Sequence, residues 1–285
     1  CTHEFLKGAK LIFSDIIKLE FLGGIWSRGI CGCPHHIYIY MWKNVYLINL
    51  EKRQDRLEMS SKILSNININ FTRFNAISPI ISQLENNELW YNAYKDFCRR
   101  DRRRRKLKYT IGALGCKMSH YYILKKAKEL NIDYVIILED DIKLNPNYLK
   151  NRDVIDKHIL ELINNKNQWD IIYIGGTPLK YGGNRKLKDK YNELIDKDSF
   201  CRYGTREYSR LHRVNNYYVK VDAVNTTLGY IINKNNYNKL ISEIPKCGFE
   251  IDRYYNQNLL NHKVYKIEPE IFYQNGLDSD ICNKL

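Results

Sequence analysis

Three consecutive carboxylates, Glu139, Asp140 and Asp141, follow an apolar run of residues. Adjacent carboxylates repel one another, so this cluster is unfavourable unless water solvates it or a cation neutralises it. Hard oxygen ligands of this kind suit a divalent cation, whose remaining positions would be filled by water and diphosphate oxygens. Because successive strand residues point to opposite faces, Glu139 and Asp141 would share one face and Asp140 would take the other. The motif predicts a metal site; the alternatives are a solvated acidic turn and a helix N-cap.

A second candidate segment, Gly112–His120, precedes the carboxylates by one predicted helix. Its two glycines are followed by Ser119, a residue type that caps helix N-termini. The free backbone N–H groups of such an N-terminus attract anions. We therefore expect a helix to begin at Ser119 and an anion to approach it there. The alternatives are that His120 is an ordinary residue of the helix start and that Cys116 is a small buried residue.

The elements that must position these residues alternate between strands and helices. Apolar runs rich in β-branched residues predict strands over 44–50, 71–76, 133–138, 169–174, 224–232 and 264–267. Helices are predicted over 53–64, 119–130, 235–242 and 251–260. This alternation predicts an α/β fold with a mostly parallel sheet covered on both faces. Ligands of such sheets bind at the carboxyl ends of the strands, where the acidic cluster lies. Residues 43–285 form the predicted domain, and residues 1–42 a predicted N-terminal extension.

Composition restricts the class of protein. The 285 residues are 44% hydrophobic, which excludes wholesale disorder and allows a sizeable core. No segment approaches the ~20 apolar residues of a membrane-spanning helix, so no membrane span is expected. The eight cysteines are scattered and do not form a disulfide-scaffold pattern. Cys31, Cys33, His35 and His36 resemble a metal cluster only superficially, because structural zinc sites space paired cysteines differently.

Half of the net charge of +14 lies in residues 98–108, which hold eight basic side chains and one acid. Like charges packed this closely favour a solvated loop or an exposed helix end. The alternatives are electrostatic contact with a polyanion or an acidic acceptor, and a nucleic-acid-binding module. The run has no accompanying zinc-finger spacing, RNA-recognition signature or heptads. We therefore expect no nucleic-acid partner.

Three ordered blocks stand at Val45–Arg56, Gly112–His120 and Ile137–Asp141, and weaker ones follow at Asp170–Gly175, Thr227–Ile232, 250–252 and 278–281. In this order the blocks resemble glycosyltransferase family 25, which includes lipooligosaccharide and procollagen galactosyltransferases. The resemblance covers nearly all of residues 44–281. It implies a single GT-A-like, Rossmann-like glycosyltransferase domain, in which residues 98–108 are a basic insertion.

The resemblance also implies a nucleotide-sugar donor, usually UDP-galactose, a divalent cation, often Mn²⁺, and inversion at the sugar carbon. A diphosphate leaving group gains negative charge as the glycosidic bond breaks, and a cation stabilises that charge. Glu139 and Asp141 are the predicted metal ligands. Asp140 is predicted to contact the nucleotide sugar. The sequence leaves open which of the three carboxylates binds the metal directly.

Further residues are predicted to bind the nucleotide sugar. Asn49, Arg53 and Arg56 follow the first strand, and a guanidinium offers a planar fork to phosphate. The alternative is that the arginines pair with Glu51 or Asp55 on the first turns of a helix. The resemblance places Ala76 near the nucleoside, and Ser119 and His120 are predicted to contact phosphate or ribose.

Inversion in one displacement needs a base that takes the proton of the acceptor. The resemblance points to Asp252 as this base and to Glu250 as the second choice. The alternative is that both are carboxylates of a helix N-terminus, favoured there by the helix dipole. Asp278 and Asp280 are further candidates for contact with acceptor or metal. His262 is a candidate additional ligand.

The predicted reaction moves galactose to a hydroxyl group, with hydroxylysine of a collagen-like chain as the favoured acceptor. A galactosyl- or glucosyltransferase acting on a lipooligosaccharide or another glycan is the alternative. Two hypotheses of other classes remain: a polyanion-binding protein that uses residues 98–108, whose affinity would fall steeply with salt, and a degenerate transferase that serves as a binding scaffold. Neither a secretory signal nor a retention tetrapeptide is visible, so the cytoplasm and the endoplasmic reticulum both stay open.

Overall fold

The computed structural model describes residues 41–100, 107–178, 211–221, 224–248, 250–258 and 262–276. These residues contain twelve strands: β1 (Val45–Asn49), β2 (Thr72–Asn75), β3 (Tyr134–Glu139), β4 (Ile142–Leu144), β5 (Ile171–Tyr173), β6 (Thr177–Pro178), β7 (Leu211–Arg213), β8 (Tyr218–Val221), β9 (Val224–Asn225), β10 (Gly229–Asn233), β11 (Val264–Ile267) and β12 (Phe272–Gln274). Eight strands form one sheet in the order β2-β1-β3-β10-β5-β11-β8-β7. Two smaller sheets pair β12 with β4 and β6 with β9.

The central sheet is mostly parallel in strand direction. β1 pairs in parallel with β2 and β3, and β11 pairs in parallel with β5. β10 lies between β3 and β5 and is antiparallel to both, while β8 is antiparallel to β11 and β7. Six of the eight strands therefore run in one direction, and their carboxyl ends lie at one edge of the sheet. The predicted α/β, Rossmann-like fold is confirmed.

Helices cover both faces of this sheet. The α-helices of the described residues are α1 (Gln54–Asn66), α2 (Ile81–Glu85), α3 (Glu88–Arg100), α4 (Leu107–Glu129), α5 (Pro146–Lys150), α6 (Arg152–Asn164), α7 (Tyr237–Glu243) and α8 (Ile251–Asn258). Alternation along the strands divides the core into two layers. Tyr46 and Ile48 pack in the layer that includes α3, α4, α7 and α8. Val45 and Leu47 pack in the layer that includes α1, α5 and α6.

Most of the predicted elements are present. All six predicted strands occur, although the segment 224–232 contains two strands, β9 and β10, instead of one. The helices predicted over 53–64, 235–242 and 251–260 correspond to α1, α7 and α8. Helices α2, α3, α5 and α6 had not been predicted. The two antiparallel strands were not predicted either, because strand direction is a tertiary property that apolar periodicity does not encode.

Helix α4 differs most from the prediction, because it begins at Leu107, twelve residues before Ser119. Gly115 lies inside this helix, where an added Cβ atom would clash with the carbonyl oxygen of Ile77. The Ser119 hydroxyl donates to the Gly115 carbonyl at 2.8 Å and accepts from the Ile77 N–H at 2.9 Å. Backbone N–H groups inside a helix bond to the preceding turn. The predicted anion-binding helix start at Ser119 is therefore wrong.

Several predicted features lie outside the described residues: residues 1–40, the centre of the basic insertion at 101–106, and the candidates Asp278 and Asp280.

Met41 and Trp42 are buried in the same core layer as Leu47. Within the described ranges, no helix combines the length and the apolar character needed to cross a membrane.

Candidate active site

The candidate site lies where β1 and β3 end side by side. In their parallel register Ile48 stands opposite Glu139, so Asn49 lies next to the turn that Asp140 and Asp141 form. Asp252, in the first turn of α8, lies near enough for the charge of Glu139 to raise its pKa. Burial raises the pKa of the nearby Cys116 thiol, and the charges of these four carboxylates, Glu139, Asp252, Asp141 and Asp140, raise it further. The structure thus brings the predicted metal ligands and the predicted base into one acidic cluster.

Asp140 is held by three groups. Its Oδ2 accepts a hydrogen bond from Asn49 Nδ2 at 2.7 Å, and its Oδ1 accepts one from Arg56 Nη1 at 3.0 Å. Its backbone carbonyl accepts a bond from Ser60 Oγ at 2.9 Å. The side chains of Arg56 and Asp140 are only 8% and 11% exposed. Burial raises the pKa of Asp140, although Asn49 and Arg56 act in the opposite direction. Asn49 and Arg56 therefore anchor Asp140, and their contact with a nucleotide stays a prediction.

Arg53 is engaged differently from Arg56. Its Nε and Nη2 donate to the two carboxylate oxygens of Asp55 at 2.9 and 2.8 Å, which is the pairing considered as the alternative to phosphate binding. The Asp55 side chain is largely exposed. The hydrogen bond from Arg53 lowers the pKa of Asp55 to about 2. An exposed pair of this kind contributes little to stability and can exchange partners.

The Glu139 carboxylate is directed towards α4 and the segment before β10. Its Oε1 accepts a hydrogen bond from Thr227 Oγ1 at 2.5 Å and lies 3.4 Å from His120 Nε2. The other ring nitrogen of His120, Nδ1, is 2.5 Å from the Tyr230 hydroxyl. Burial raises the pKa of Glu139, but His120 and Thr227 lower it, and the net shift is downward. Glu139 is thus held as an ionised carboxylate at the strand end.

Asp141 has one carboxylate oxygen that is satisfied and one that is not. Its Oδ2 accepts a hydrogen bond from Gln274 Nε2 at 2.8 Å. Its Oδ1 is buried and has no hydrogen-bond partner among the residues that the structure describes. Burial and the neighbouring charge of Glu139 raise the pKa of Asp141 to about 6. A buried acceptor without a donor carries the full cost of lost solvation, and a cation would remove that cost.

Asp252 and Glu250 flank the first residue of α8. Asp252 Oδ1 accepts a hydrogen bond from the Arg253 N–H at 2.7 Å, while Glu250 Oε2 lies 3.7 Å from Arg253 Nη1. Burial raises the pKa of Asp252, and the charges of Glu250 and Glu139 raise it further. A carboxylate with a raised pKa accepts protons more readily. Both carboxylates also occupy the helix N-terminus that the alternative interpretation expected.

Ala76, Ser119 and His120 form the remaining set of predicted nucleotide contacts. The Ala76 N–H donates to the Asn49 carbonyl at 2.9 Å, so Ala76 lies beside the end of β1. Ser119 and His120 are fully buried in the middle of α4. The Ser119 hydroxyl bonds within the protein, and its contact with phosphate or ribose stays a prediction. His120 is likewise directed to Glu139 and Tyr230, and not to the solvent.

Sequence reasoning missed Thr227, Tyr230 and Gln274 as residues of this site. The first two lie in the block Thr227–Ile232, so the resemblance contained a signal for them. No comparable signal exists for Gln274, which reaches Asp141 only because β12 pairs with β4. The additional ligand considered at His262 lies elsewhere: its Nδ1 is 3.4 Å from Asp170 Oδ2, where β5 and β11 begin. That location is the end of the sheet opposite to the acidic cluster.

A mostly parallel sheet with helices on both faces and carboxylates at its strand ends is consistent with a Rossmann-like glycosyltransferase domain. The model of one family, described as glycosyltransferase family 25 (LPS biosynthesis protein), matches residues 42–255. The chain belongs to glycosyltransferase family 25. The matched segment contains the acidic triplet and Asp252.

Three relatives illustrate the range of the family. Procollagen galactosyltransferase 1-B of Xenopus laevis is 35% identical over 135 residues, which cover 46% of this chain and 21% of the relative. A putative glycosyltransferase of Haemophilus influenzae is 35% identical over 121 residues, covering 41% of this chain and 40% of the relative. A probable inactive glycosyltransferase 25 family member 3 of Rattus norvegicus is 30% identical over 66 residues, covering 23% and 11%. The chain thus matches about a fifth of the Xenopus protein's length.

Proposed function

We propose that the chain is a metal-dependent, inverting glycosyltransferase that moves galactose from UDP-galactose to a hydroxyl group. The observation that carries this proposal is the buried Oδ1 of Asp141, which has no hydrogen-bond partner among the described residues and lies in a cluster of four carboxylates. Such an arrangement is unfavourable without a cation. Membership of the family supports the class of reaction, and the procollagen galactosyltransferases among the relatives support galactose as the sugar.

The residues at the strand ends fit a hard divalent cation such as Mn²⁺. Glu139 and Asp141 offer carboxylate oxygens, the ligand type that such cations prefer. Gln274 holds the second oxygen of Asp141 and would fix the orientation of that ligand. When bound, the cation would stabilise the negative charge that develops on the departing diphosphate.

Two arginines would serve different purposes in this proposal. Arg56 neutralises the buried Asp140 and so keeps the end of β3 in place beside Asn49. Arg53 has a side chain that is 21% exposed and forms an exposed pair with Asp55. Its guanidinium would bind the donor diphosphate by exchanging the Asp55 carboxylate for phosphate oxygens, which have a similar geometry.

Asp252 is the proposed base. It would take the proton of the acceptor hydroxyl while the oxygen attacks the sugar carbon on the side opposite the departing UDP. The upward shift of its pKa supports this assignment, since the proton is then held more firmly than by an ordinary aspartate. Glu250 is the second choice, because its carboxylate already lies 3.7 Å from the Arg253 guanidinium.

The favoured acceptor is hydroxylysine of a collagen-like chain. Relatives named procollagen galactosyltransferase in Xenopus laevis support it. A lipooligosaccharide or another glycan, with galactose or glucose as the sugar, is the second candidate. The family description, which refers to LPS biosynthesis, and the Haemophilus influenzae relative favour this second acceptor.

Turnover assays test the proposal and separate its alternatives. Release of UDP is measured from UDP-galactose and UDP-glucose, with a hydroxylysine peptide or a glycan acceptor, in Mn²⁺ or in EDTA. We expect turnover of UDP-galactose in Mn²⁺ and none in EDTA. Asp141→Asn should lower the rate at least roughly 100-fold, equivalent to about 3 kcal/mol of transition-state stabilisation. Asp153→Asn, an exposed carboxylate on α6, is the matched control and should leave the rate unchanged.

Two results would favour the other classes. A folded protein that turns over no donor in any of these mixtures would support a degenerate transferase, a condition that the name of the Rattus norvegicus relative illustrates. Salt-sensitive binding to heparin or DNA that Asp141→Asn leaves intact, with no binding of nucleotide sugar, would support a polyanion-binding protein.

A further inference from the structure

We propose that Cys116, His120 and Glu139 form a second metal site, specific for a thiophilic divalent cation of the Zn²⁺ class. One donor atom from each residue, a sulfur, a nitrogen and an oxygen, lies within 4.8 Å of the other two. This set differs in chemistry from the carboxylate ligands proposed for Mn²⁺, because it replaces one hard oxygen with sulfur and another with imidazole nitrogen.

The fold places the three residues together for simple reasons. Cys116 and His120 are four residues apart on α4, so both side chains lie on one face of that helix. The helix packs in the core layer over β3, and Glu139 is the last residue of that strand. The acidic strand end therefore meets the sulfur and nitrogen ligands of the helix.

His120 is oriented as a metal ligand would be. Its side chain is fully buried. Its Nδ1 lies 2.5 Å from the Tyr230 hydroxyl, while its Nε2 has no hydrogen-bond partner among the described residues and is 3.4 Å from Glu139 Oε1. Histidines that bind metals have their second ring nitrogen held by such an outer group, which sets the tautomer and the ring orientation. Tyr230 supplies that group here.

Charge and distance both suit zinc. The cation would displace the proton of the Cys116 thiol, and the resulting thiolate, a neutral imidazole and a carboxylate together carry two negative charges, which balance the cation. Zinc bonds of about 2.0–2.3 Å place neighbouring ligand atoms roughly 3.5 Å apart in a tetrahedron. Contraction by about 1 Å is therefore needed, and rotation of the partly exposed Cys116 and Glu139 side chains can supply it. Three protein ligands leave the fourth position open to water, as in catalytic zinc sites.

Glu139 would belong to both metal sites. Zn²⁺ bound to Cys116 and His120 would withdraw Glu139 from the Mn²⁺ site, so zinc should inhibit turnover, and the inhibition should weaken in Cys116→Ser. This consequence rests on the proposed function. The zinc site itself does not, and its test below uses no substrate.

The test is titration of the reduced 285-residue chain with Co²⁺ alone, followed by displacement with Zn²⁺. The parent chain for this titration is the variant with Cys31→Ser and Cys33→Ser, in which the Cys31–His36 segment contributes no thiolate. We expect one equivalent of Co²⁺ to produce thiolate-to-metal charge transfer in the near ultraviolet. Cys116→Ser and His120→Gln should abolish this band and weaken Zn²⁺ binding more than about 100-fold. The matched control is Cys98→Ser, which removes an exposed thiol and should change neither.

Unchanged charge transfer in a folded Cys116→Ser chain, or none in the parent chain, would overturn the proposal. X-ray absorption of the Zn²⁺-loaded parent chain decides the case in which the variants do not fold. A shell with one sulfur and light nitrogen or oxygen neighbours is expected. A shell without sulfur, or with two or more sulfurs, would contradict the assignment.

Discussion

Replacement of Arg56 by Met should lower the free energy of unfolding, because it leaves the buried carboxylate of Asp140 without its cationic partner. The two side chains are 8% and 11% exposed, and Arg56 Nη1 lies 3.0 Å from Asp140 Oδ1. Opposite charges at about 4 Å attract by roughly 4 kcal/mol at an effective dielectric constant of 20. Removing one partner of a buried pair typically costs about 3–5 kcal/mol, because the other charge stays buried. Since Asn49 still donates to Asp140 in the variant, we expect about 3 kcal/mol at pH 7.

The loss should depend on pH in a defined direction. Burial already raises the pKa of Asp140, and removal of the guanidinium raises it further above the value in the unfolded chain. A raised carboxylate pKa means that the folded chain binds the proton more tightly, so stability is lost as pH rises through that pKa. The difference between wild type and Arg56→Met should therefore shrink towards pH 4.

Urea unfolding at pH 4.5 and pH 7 measures the loss of stability and its pH dependence. The transition is monitored by the fluorescence of the buried Trp42, Trp90 and Trp169. Arg53→Met, which breaks the exposed pair with Asp55, is the control and should change stability little. Asp140→Asn in the Arg56→Met background should recover stability at pH 7. A loss below about 1 kcal/mol, or an equal loss at both pH values, would show that Asp140 is not left as an uncompensated buried charge in the variant.

Three further predictions concern the base, the helix contact and a buried carboxylate. Asp252→Asn should lower kcat roughly 10²–10⁴-fold and leave Mn²⁺-dependent binding of UDP intact; turnover within about twofold of wild type would exclude it as the base. Gly115→Ala should cost about 1–3 kcal/mol in urea unfolding, because its Cβ would meet the Ile77 carbonyl; a neutral result would contradict that contact. Burial raises the pKa of Asp156 to about 6, above about 3.9 in the unfolded chain, so its contribution to stability falls as pH rises from about 4 to 6. Asp156→Asn should remove up to about 3 kcal/mol of this pH dependence. If the free energies of unfolding of wild type and Asp156→Asn differ by the same amount at every pH in this range, the raised pKa of Asp156 is disproved.

Local patterns predicted the strands that position the site. β1, β3 and β11 are short apolar runs, and their sequence periodicity alone indicates buried strands. Alternation also predicts that Glu139 and Asp140 face opposite sides, and the structure directs Glu139 to His120 and Asp140 to Arg56. The alternation does not extend to Asp141, because the strand ends at Glu139 and a turn follows.

Tertiary contacts explain the errors. Ser119 has the residue type of a helix cap, yet it lies in the middle of α4, where its hydroxyl binds the loop at Ile77. A glycine such as Gly115 indicates a helix end in isolation, whereas here it permits close packing of a loop against the helix. Gln274 contacts Asp141 across 133 residues of sequence. Such pairings follow from the packing of elements and have no local signature.

The most direct test of a metal-dependent nucleotide-sugar site at Asp141 is calorimetric titration of UDP-galactose into the wild-type chain and into Asp141→Asn, each with and without Mn²⁺. We expect the wild type to bind only in Mn²⁺, and Asp141→Asn to have an affinity lower by at least roughly 10–100-fold. UDP and UDP-glucose titrated in parallel show how much of the affinity depends on the galactose. Equal affinity with and without Mn²⁺ would exclude a metal-dependent donor site, and equal affinity in the two proteins would exclude Asp141 as its ligand.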